Sequence, residues 1–195
     1  MELLTGSGLA ISAGLNAYVP LLLVGLLGRF TDLVALPSQW AWLGTDVALI
    51  VLGVLLLVEV VADKVPSIDH VNDLLQTVVR PTAGGIVFAA GSSAGEAAIT
   101  ATDQIVNADT VLPVVAGVLL SLVTHLAKAG LRAGVNLSTA GVGAPVASTV
   151  EDVFSVSLSL VALLLPLLVL VAVVGAVAML VGVRKRRRRR DRLRT

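Results

Sequence analysis

The side chains able to do chemistry gather in two short polar stretches, Glu59 to Arg80 and His125 to Asp152, each set between long apolar runs. A charge in such surroundings is costly, so it needs a partner or a task. Glu59 and Asp63 stand four residues apart, which puts both carboxylates on one face of a helix. Buried together, they would make a candidate proton carrier or cation ligand; at the end of a span, they would simply reach the interface and be solvated. His125, Lys128 and Arg132 follow at i, i+3 and i+7 on another helix, a cationic stripe that can face the acidic one and hold an anionic group. A satisfied core histidine is the plainer reading of His125.

Lys64, Asp69, Asp73 and Arg80 complete the first stretch. Ser67, directly after Pro66, suits the N-cap of a short amphipathic helix with Asp69 and Asp73 on one face, lying along the membrane surface. In the second stretch, Asn136 to Pro145 is rich in Gly and hydroxyl residues, Ser138 and Thr139 among them. Ser148 with Glu151 then forms a capping box, next to Asp152. Two readings of Asn136 to Pro145 stand side by side: broken backbone lining a substrate site at membrane depth, or an ordinary external loop.

Other chemistries are excluded by what the chain lacks. It has no Cys and only two His, so disulfides, haem attachment, iron–sulfur ligation and thiol catalysis are ruled out, and no metal site is expected. There is no phosphate-binding or dinucleotide-binding glycine loop, no zinc-protease helix and no nucleophile elbow. Ser138, His125 and Asp152 could be assembled into a trio, but any polytopic protein offers one by chance. No catalytic residue and no cofactor are expected.

The elements that must position these groups are set by composition. Hydrophobic residues make up 56% of the 195 and the mean hydropathy is +0.97. At about 20 residues per span, the chain has room for four to six transmembrane helices and no separate soluble domain. The expected fold is an all-α polytopic bundle of about five spans, with the short amphipathic interfacial helix in addition.

The first span, Gly8 to Gly28, is 21 residues without a charge. It is interrupted by Asn16 and Pro20, with Tyr18 between them, and should be bent or broken. A second span starts near Trp40 and Trp42, runs through Val47 to Val58, meets Glu59 and ends at Pro66. A third, about Thr82 to Thr102, is rich in Gly, Ala and Ser and contains Glu96, so it belongs inside the bundle. The fourth runs from about Thr110 to Ala129. Val153 to Val183, 31 residues without a charge, is read as one tilted helix bent at Pro166. Gly91 with Gly95, and Gly130 with Gly134, have the spacing of close helix contacts.

The net charge of +1 hides an asymmetry: nine of the fourteen basic residues lie between Arg184 and Arg194. The division expected is an integral membrane domain over residues 1–183 and a basic tail over residues 184–195. The positive-inside rule places this tail in the cytoplasm, where it can rest on anionic lipid headgroups; stop-transfer anchoring is preferred to nucleic-acid binding. The N-terminus, with Glu2, does not look like a cleavable signal peptide. Five spans then put both charged stretches on the outer side, together with Lys64, Arg80, Lys128 and Arg132, against the positive-inside rule. Either Pro81 to Gly95 or Leu137 to Pro145 is re-entrant, or neighbouring acids neutralise the four cations within the bundle, which is the preferred solution.

Four groups of residues carry a resemblance. They are Gly14-Leu15-Asn16-Ala17-Tyr18-Val19-Pro20-Leu21-Leu22; Glu59 to Asp73, with Ala62-Asp63-Lys64-Val65-Pro66 and Asp69; Arg80-Pro81-Thr82-Ala83-Gly84; and Ser138-Thr139-Ala140-Gly141 followed by Glu151-Asp152. Over roughly residues 5 to 175, the chain resembles the small prokaryotic membrane proteins grouped as domain of unknown function 4126. That resemblance implies a membrane protein and brings no activity with it.

Three functions follow in order of preference. The first is a small transporter or channel-like protein of the inner (plasma) membrane, its polar site built from the two charged stretches with Asn16 and Tyr18, and its partner a small solute or ion. The second is a non-transporting scaffold or assembly factor whose charges are structural pairs. A membrane-embedded enzyme acting on lipid comes third. Oligomeric state is not legible from these residues.

Overall fold

A computed structural model describes residues 1–64, 66–92, 108–169, 171, 174 and 175; the side chains of 66–71, 73 and 108–110 are outside that description. Six α-helices follow one another: α1 (Glu2–Leu15), α2 (Tyr18–Phe30), α3 (Asp46–Ala62), α4 (Pro66–Ser92), α5 (Ala108–Thr139) and α6 (Ala144–Leu164), with a 3₁₀ segment Ser38–Gly44 before α3. The all-α class holds among the described residues.

The bundle is inverted relative to a water-soluble protein. Arg80, Glu59, Asp63, Lys128, Arg132, Ser12, Asn16 and Ser155 are buried, while Val47, Ile50, Leu57, Val78, Leu112, Leu131 and Phe154 are exposed. Water-soluble folds do the reverse with charges and do not expose apolar surface on this scale. An apolar exterior around a polar core is stable where the surroundings are hydrocarbon.

Val111–Thr139 within α5 and Ala144–Leu164 are long and apolar enough to cross a membrane. Ser38–Gly44 with Asp46–Ala62 makes a third span if that pair, bent by 61°, counts as one. The structure thus supports two to three spans by length and composition, where the sequence suggests about five. Two segments account for part of the gap. The first expected span is broken into α1 and α2, of 14 and 13 residues, each about 20 Å long against a hydrocarbon core of about 30 Å. Part of the third, residues 93–102, lies outside the described residues, as do Glu96, Gly95 and the basic tail.

Local chemistry explains the break. Asn16 leaves α1 in extended backbone (φ −146°, ψ 119°), and its Oδ1 accepts from the amides of Tyr18 (3.1 Å) and Val19 (3.2 Å). A side-chain acceptor on the first free amides is what starts a new helix. Pro20, in the first turn of α2, has no amide to leave unsatisfied.

Several local expectations are corrected. The short amphipathic helix at Ser67 is the first part of α4, which continues for 27 residues through Pro81. Pro81 to Ser92 is therefore ordinary helix. Asn136 to Thr139 is helix as well, and the rest of that segment is a tight hairpin turn. The Gly141 amide donates to Asn136 O (3.0 Å) and the Gly143 amide to Thr139 Oγ1 (3.0 Å), with Ala140 and Gly141 at φ 51° and 84°. This is a Schellman-type stop, so both candidate re-entrant segments are helix or tight turn as far as they are described. Ser148 caps nothing: α6 begins at Ala144, with Pro145 in its first turn. The expected bend near Pro166 is present, since α6 ends where Leu165 leaves helical geometry (φ −140°, ψ 63°).

Packing depends on small residues. A Cβ on Gly117 would fall on the Gly84 carbonyl oxygen, so α4 and α5 cross backbone to backbone there, and Gly91 of α4 lies against Gly6 and Leu9 of α1. Gly130 and Gly134 face open space; their spacing does not make a contact among the described residues. Ser12 Oγ of α1 meets Ser155 Oγ (2.8 Å) and Ser159 Oγ (2.6 Å) of α6, a polar seam typical of helices meeting in an apolar medium.

Candidate functional site

Asp63, just past the end of α3, is the hub of a buried charge network. Its Oδ1 accepts from Asn72 Nδ2 at 2.6 Å. Its Oδ2 faces three cations: Arg132 Nη2 at 3.3 Å, Lys128 Nζ at 3.7 Å and Arg80 Nη2 at 3.9 Å. One turn earlier, Glu59 Oε1 accepts from Arg80 Nη2 at 2.9 Å, with the two side chains 1% and 0% exposed. The acidic face of α3 thus meets Arg80 from α4 and the Lys128 and Arg132 stripe from α5, as the i, i+4 and i, i+3, i+7 spacings require.

α6 closes the network from the other side. Glu151 Oε2 accepts from Arg132 Nη2 at 2.7 Å and pairs with Lys128 Nζ at 3.0 Å. Asp152 Oδ1 accepts from Asn16 Nδ2 at 3.0 Å, and its Oδ2 lies 3.9 Å from Lys64 Nζ at the more exposed edge. Among the described side chains, four carboxylates, Glu59, Asp63, Glu151 and Asp152, stand against four cations, Lys64, Arg80, Lys128 and Arg132. These are the four cations whose outer placement conflicted with the positive-inside rule. Arg80, Lys128 and Arg132 are paired with acids inside the bundle, and Lys64 only at its edge.

Hydrogen bonding fixes the state of His125. An arginine only donates, so His125 Nδ1 accepts from Arg80 Nη1 at 3.1 Å. The ring proton then sits on Nε2, where Thr77 Oγ1 accepts it at 3.1 Å. His125 is therefore a neutral link between α4 and α5, buried with both ring nitrogens hydrogen-bonded, which is the satisfied core histidine of the plainer reading.

The network is tied to the helix break. Lys128 Nζ donates to the Leu15 carbonyl oxygen at 2.7 Å, one of the carbonyls left without an intrahelical partner at the end of α1. Asn16 serves both sides, capping α2 with its oxygen and holding Asp152 with its nitrogen. Tyr18, in the first turn of α2, lies within electrostatic reach of Gln76, Glu59 and Arg80.

Of the residues expected at a site, Asn16, Tyr18, Glu59, Asp63, Lys64, Arg80, His125, Lys128, Arg132, Glu151 and Asp152 come together. Ser138 and Thr139 do not: both hydroxyls donate to Val135 O at the exposed end of α5. The side chains of Asp69 and Asp73 lie outside the description, although both positions fall on α4. The Ser138, His125 and Asp152 trio is not assembled, because Ser138 is spent on its own helix. No group of three or more His, Cys, Asp or Glu among the described residues could hold a metal ion.

Sequence reasoning passed over Asn72, Gln76, Thr77 and Ser121. Ser121 Oγ donates to Arg80 O at 2.7 Å, which ties α5 to α4 beside Pro81. A signal was available: Asn72, Gln76 and Arg80 follow at i, i+4 and i+8, a polar stripe on a helix that otherwise exposes Leu74, Leu75 and Val78.

Among the described residues, helices of membrane length that turn apolar side chains outward and charged ones inward define the class, a helical membrane protein. The chain belongs to the family described as domain of unknown function (DUF4126), which matches residues 3–186. That match extends the expected range of 5 to 175 at both ends and takes in the first basic residues of the tail. No curated protein and no solved structure matches the chain.

Proposed function

We propose that the protein is a small membrane carrier for an anionic solute, with the charge network as its substrate site in a closed state. The observation that carries this reading is the meeting of that network with the α1–α2 break, through Lys128 on Leu15 O and Asn16 on Asp152. Discontinuous helices whose ends offer free carbonyls and amides next to ionisable side chains are how many carriers build sites near the middle of the bilayer. Lys128 and Arg132 would hold the anionic group, releasing Glu151 and Asp63 as it enters. Glu59 and Asp63 would handle the coupling proton or cation. The protein would sit in the inner (plasma) membrane with its arginine-rich tail in the cytoplasm, resting on anionic headgroups; no catalytic role, cofactor or nucleic-acid partner is proposed.

Uptake into vesicles containing the purified protein tests this reading. Lys128→Ala should reduce anion uptake by about tenfold or more while the protein still inserts, since each 1.4 kcal/mol of lost interaction is a factor of ten. Uptake equal to that of the unaltered protein would remove Lys128 from the site.

One observation favours a second reading. Each of the four carboxylates pairs with at least one of the four cations, which is also what a bundle locked by structural pairs would look like, as in a scaffold or assembly factor. Exchanging Asp63 and Lys128 separates the two. A structural pair tolerates the exchange, whereas a substrate site loses function.

A further inference from the structure

Away from the charge network, a cleft of about 470 Å³ opens at the connection between α2 and α3, within the range of about 300–1,000 Å³ common for small-molecule sites. Four polar side chains line it, Arg29, Thr31, Asp32 and Thr45, among Gly, Ala, Val and Leu. Both threonine hydroxyls are already spent on the backbone. Thr31 Oγ1 donates to Leu27 O (2.6 Å) and accepts from the Leu33 amide (3.3 Å), and Thr45 Oγ1 donates to Trp42 O (2.8 Å) and accepts from the Ala48 amide (3.3 Å). Recognition is left to one cation and one anion. Arg29 uses Nη1 alone, on Asp46 Oδ1 (2.6 Å) and Gly44 O (3.2 Å), and the Asp46 side chain is 78% exposed, so solvent weakens its hold. The Nε and Nη2 edge of Arg29, able to grip a phosphate in two parallel bonds, makes no bond among the described residues. The Asp32 carboxylate likewise has neither a hydrogen bond nor an ion pair among them.

The cleft lies where the bundle leaves hydrocarbon. Phe30, Leu33 and Trp42, chain neighbours of its lining residues, are exposed, as are Arg29, Asp32 and Asp46. Aromatic side chains mixed with charges mark the headgroup level of a bilayer. We propose that the cleft binds the phosphoethanolamine headgroup of a phospholipid, its phosphate on Arg29 and its ammonium on Asp32, with the acyl chains running alongside Phe30, Leu33 and Trp42. A purely anionic headgroup offers nothing cationic to Asp32. A choline headgroup has no N–H to donate to that carboxylate, and no aromatic ring lines the cleft to hold a quaternary ammonium instead. The site stands apart from the charge network, so it holds whether that network is a carrier or a lock.

The test uses the full chain in vesicles, where Trp40 and Trp42 are the only tryptophans and report on this end of the bundle alone. Phospholipids brominated near the top of their acyl chains quench tryptophan on contact, and competition between them gives relative binding constants. Brominated phosphatidylethanolamine is expected to bind about threefold more tightly than phosphatidylcholine or phosphatidylglycerol, a modest factor because exposed charge pairs are weak. Asp32→Asn should bring the preference over phosphatidylcholine to unity, and Asp32→Lys should invert the preference in favour of phosphatidylglycerol. Neither variant removes a contact of the fold. Arg29→Gln should narrow the margin of all three phospholipids over brominated diacylglycerol, which has no phosphate. Equal binding of the three phospholipids to the unaltered protein, or a preference that survives Asp32→Lys, would overturn the proposal. Soluble glycerophosphoethanolamine separates the lipid from its free headgroup: it is expected to leave the quenching as it was, and relief of quenching would assign the cleft to a water-borne solute instead.

Discussion

Arg80 shows what burial does to a single charge. Its guanidinium is fully enclosed and held by Glu59 on one side and His125 on the other, so it has lost all contact with solvent and gained charge-assisted bonds in return. Removing one partner of such a pair leaves the other buried and unbalanced, which costs about 3–5 kcal/mol, while replacing both by apolar residues is often neutral. Arg80→Leu should therefore cost about that much in a reversible unfolding titration in micelles. Glu59→Leu combined with Arg80→Leu should recover most of the loss. Two additive single losses would mean that the pair does not interact in the folded protein.

Helices α4 and α5 depend on one glycine crossing, and this distinguishes glycines that the sequence presents as alike. Gly117 sits on the Gly84 carbonyl oxygen while Gly130 meets nothing within 4 Å. Gly117→Val should push the two helices apart and destabilise by at least about 1–3 kcal/mol, whereas Gly130→Ala should raise helix propensity by up to about 1 kcal/mol. Unfolding midpoints of the two variants, moving in opposite directions, would establish the difference. The hairpin between α5 and α6 makes a third case. Ala140 holds a left-handed conformation, φ 51°, that costs an L-residue about 1–2 kcal/mol. Ala140→Gly should relieve part of this and raise thermal stability; a lowered midpoint would show that the strain is not there.

The same elements show how far the sequence could be read. The α1–α2 break, the facing stripes and the bend at Pro166 were legible because each depends on local chemistry: an Asn that caps, charges at helical spacing, a proline. Span count was less legible, because α4 carries Asn72 and Arg80, whose partners Asp63, Glu59 and His125 stand far off in the sequence. Hydroxyl-rich Asn136 to Thr139 misled for a related reason. Ser138 and Thr139 turn their hydroxyls back onto Val135 O, which hides polarity that composition counts as exposed. The Gly130 and Gly134 spacing fits a helix contact, yet only the tertiary arrangement says which glycine has a neighbour.

Taken whole, the molecule carries its charges inside and its apolar side chains outside, and the described residues leave Lys64 and Asp152 as the more open edge of the network. Asp63 and Lys128, 2% exposed each, lie deeper, and Thr139 stands in the open at the hairpin. This ordering becomes measurable because the native chain has no cysteine. With single cysteines at Asp63, Lys128 and Thr139, an impermeant thiol reagent should label Thr139 rapidly from one side of the membrane. The other two should react slowly in the closed state, by a factor equal to the population that opens. A carrier requires that factor to change: an anionic substrate that binds only the open form must raise labelling at Asp63 or protect it once bound, because a ligand shifts an equilibrium only by its differential affinity for the two states. If labelling at Asp63 and Lys128 is indifferent to every anion tried while the Asp63 and Lys128 exchange is tolerated, the network is a lock, and the scaffold reading takes the place of the carrier.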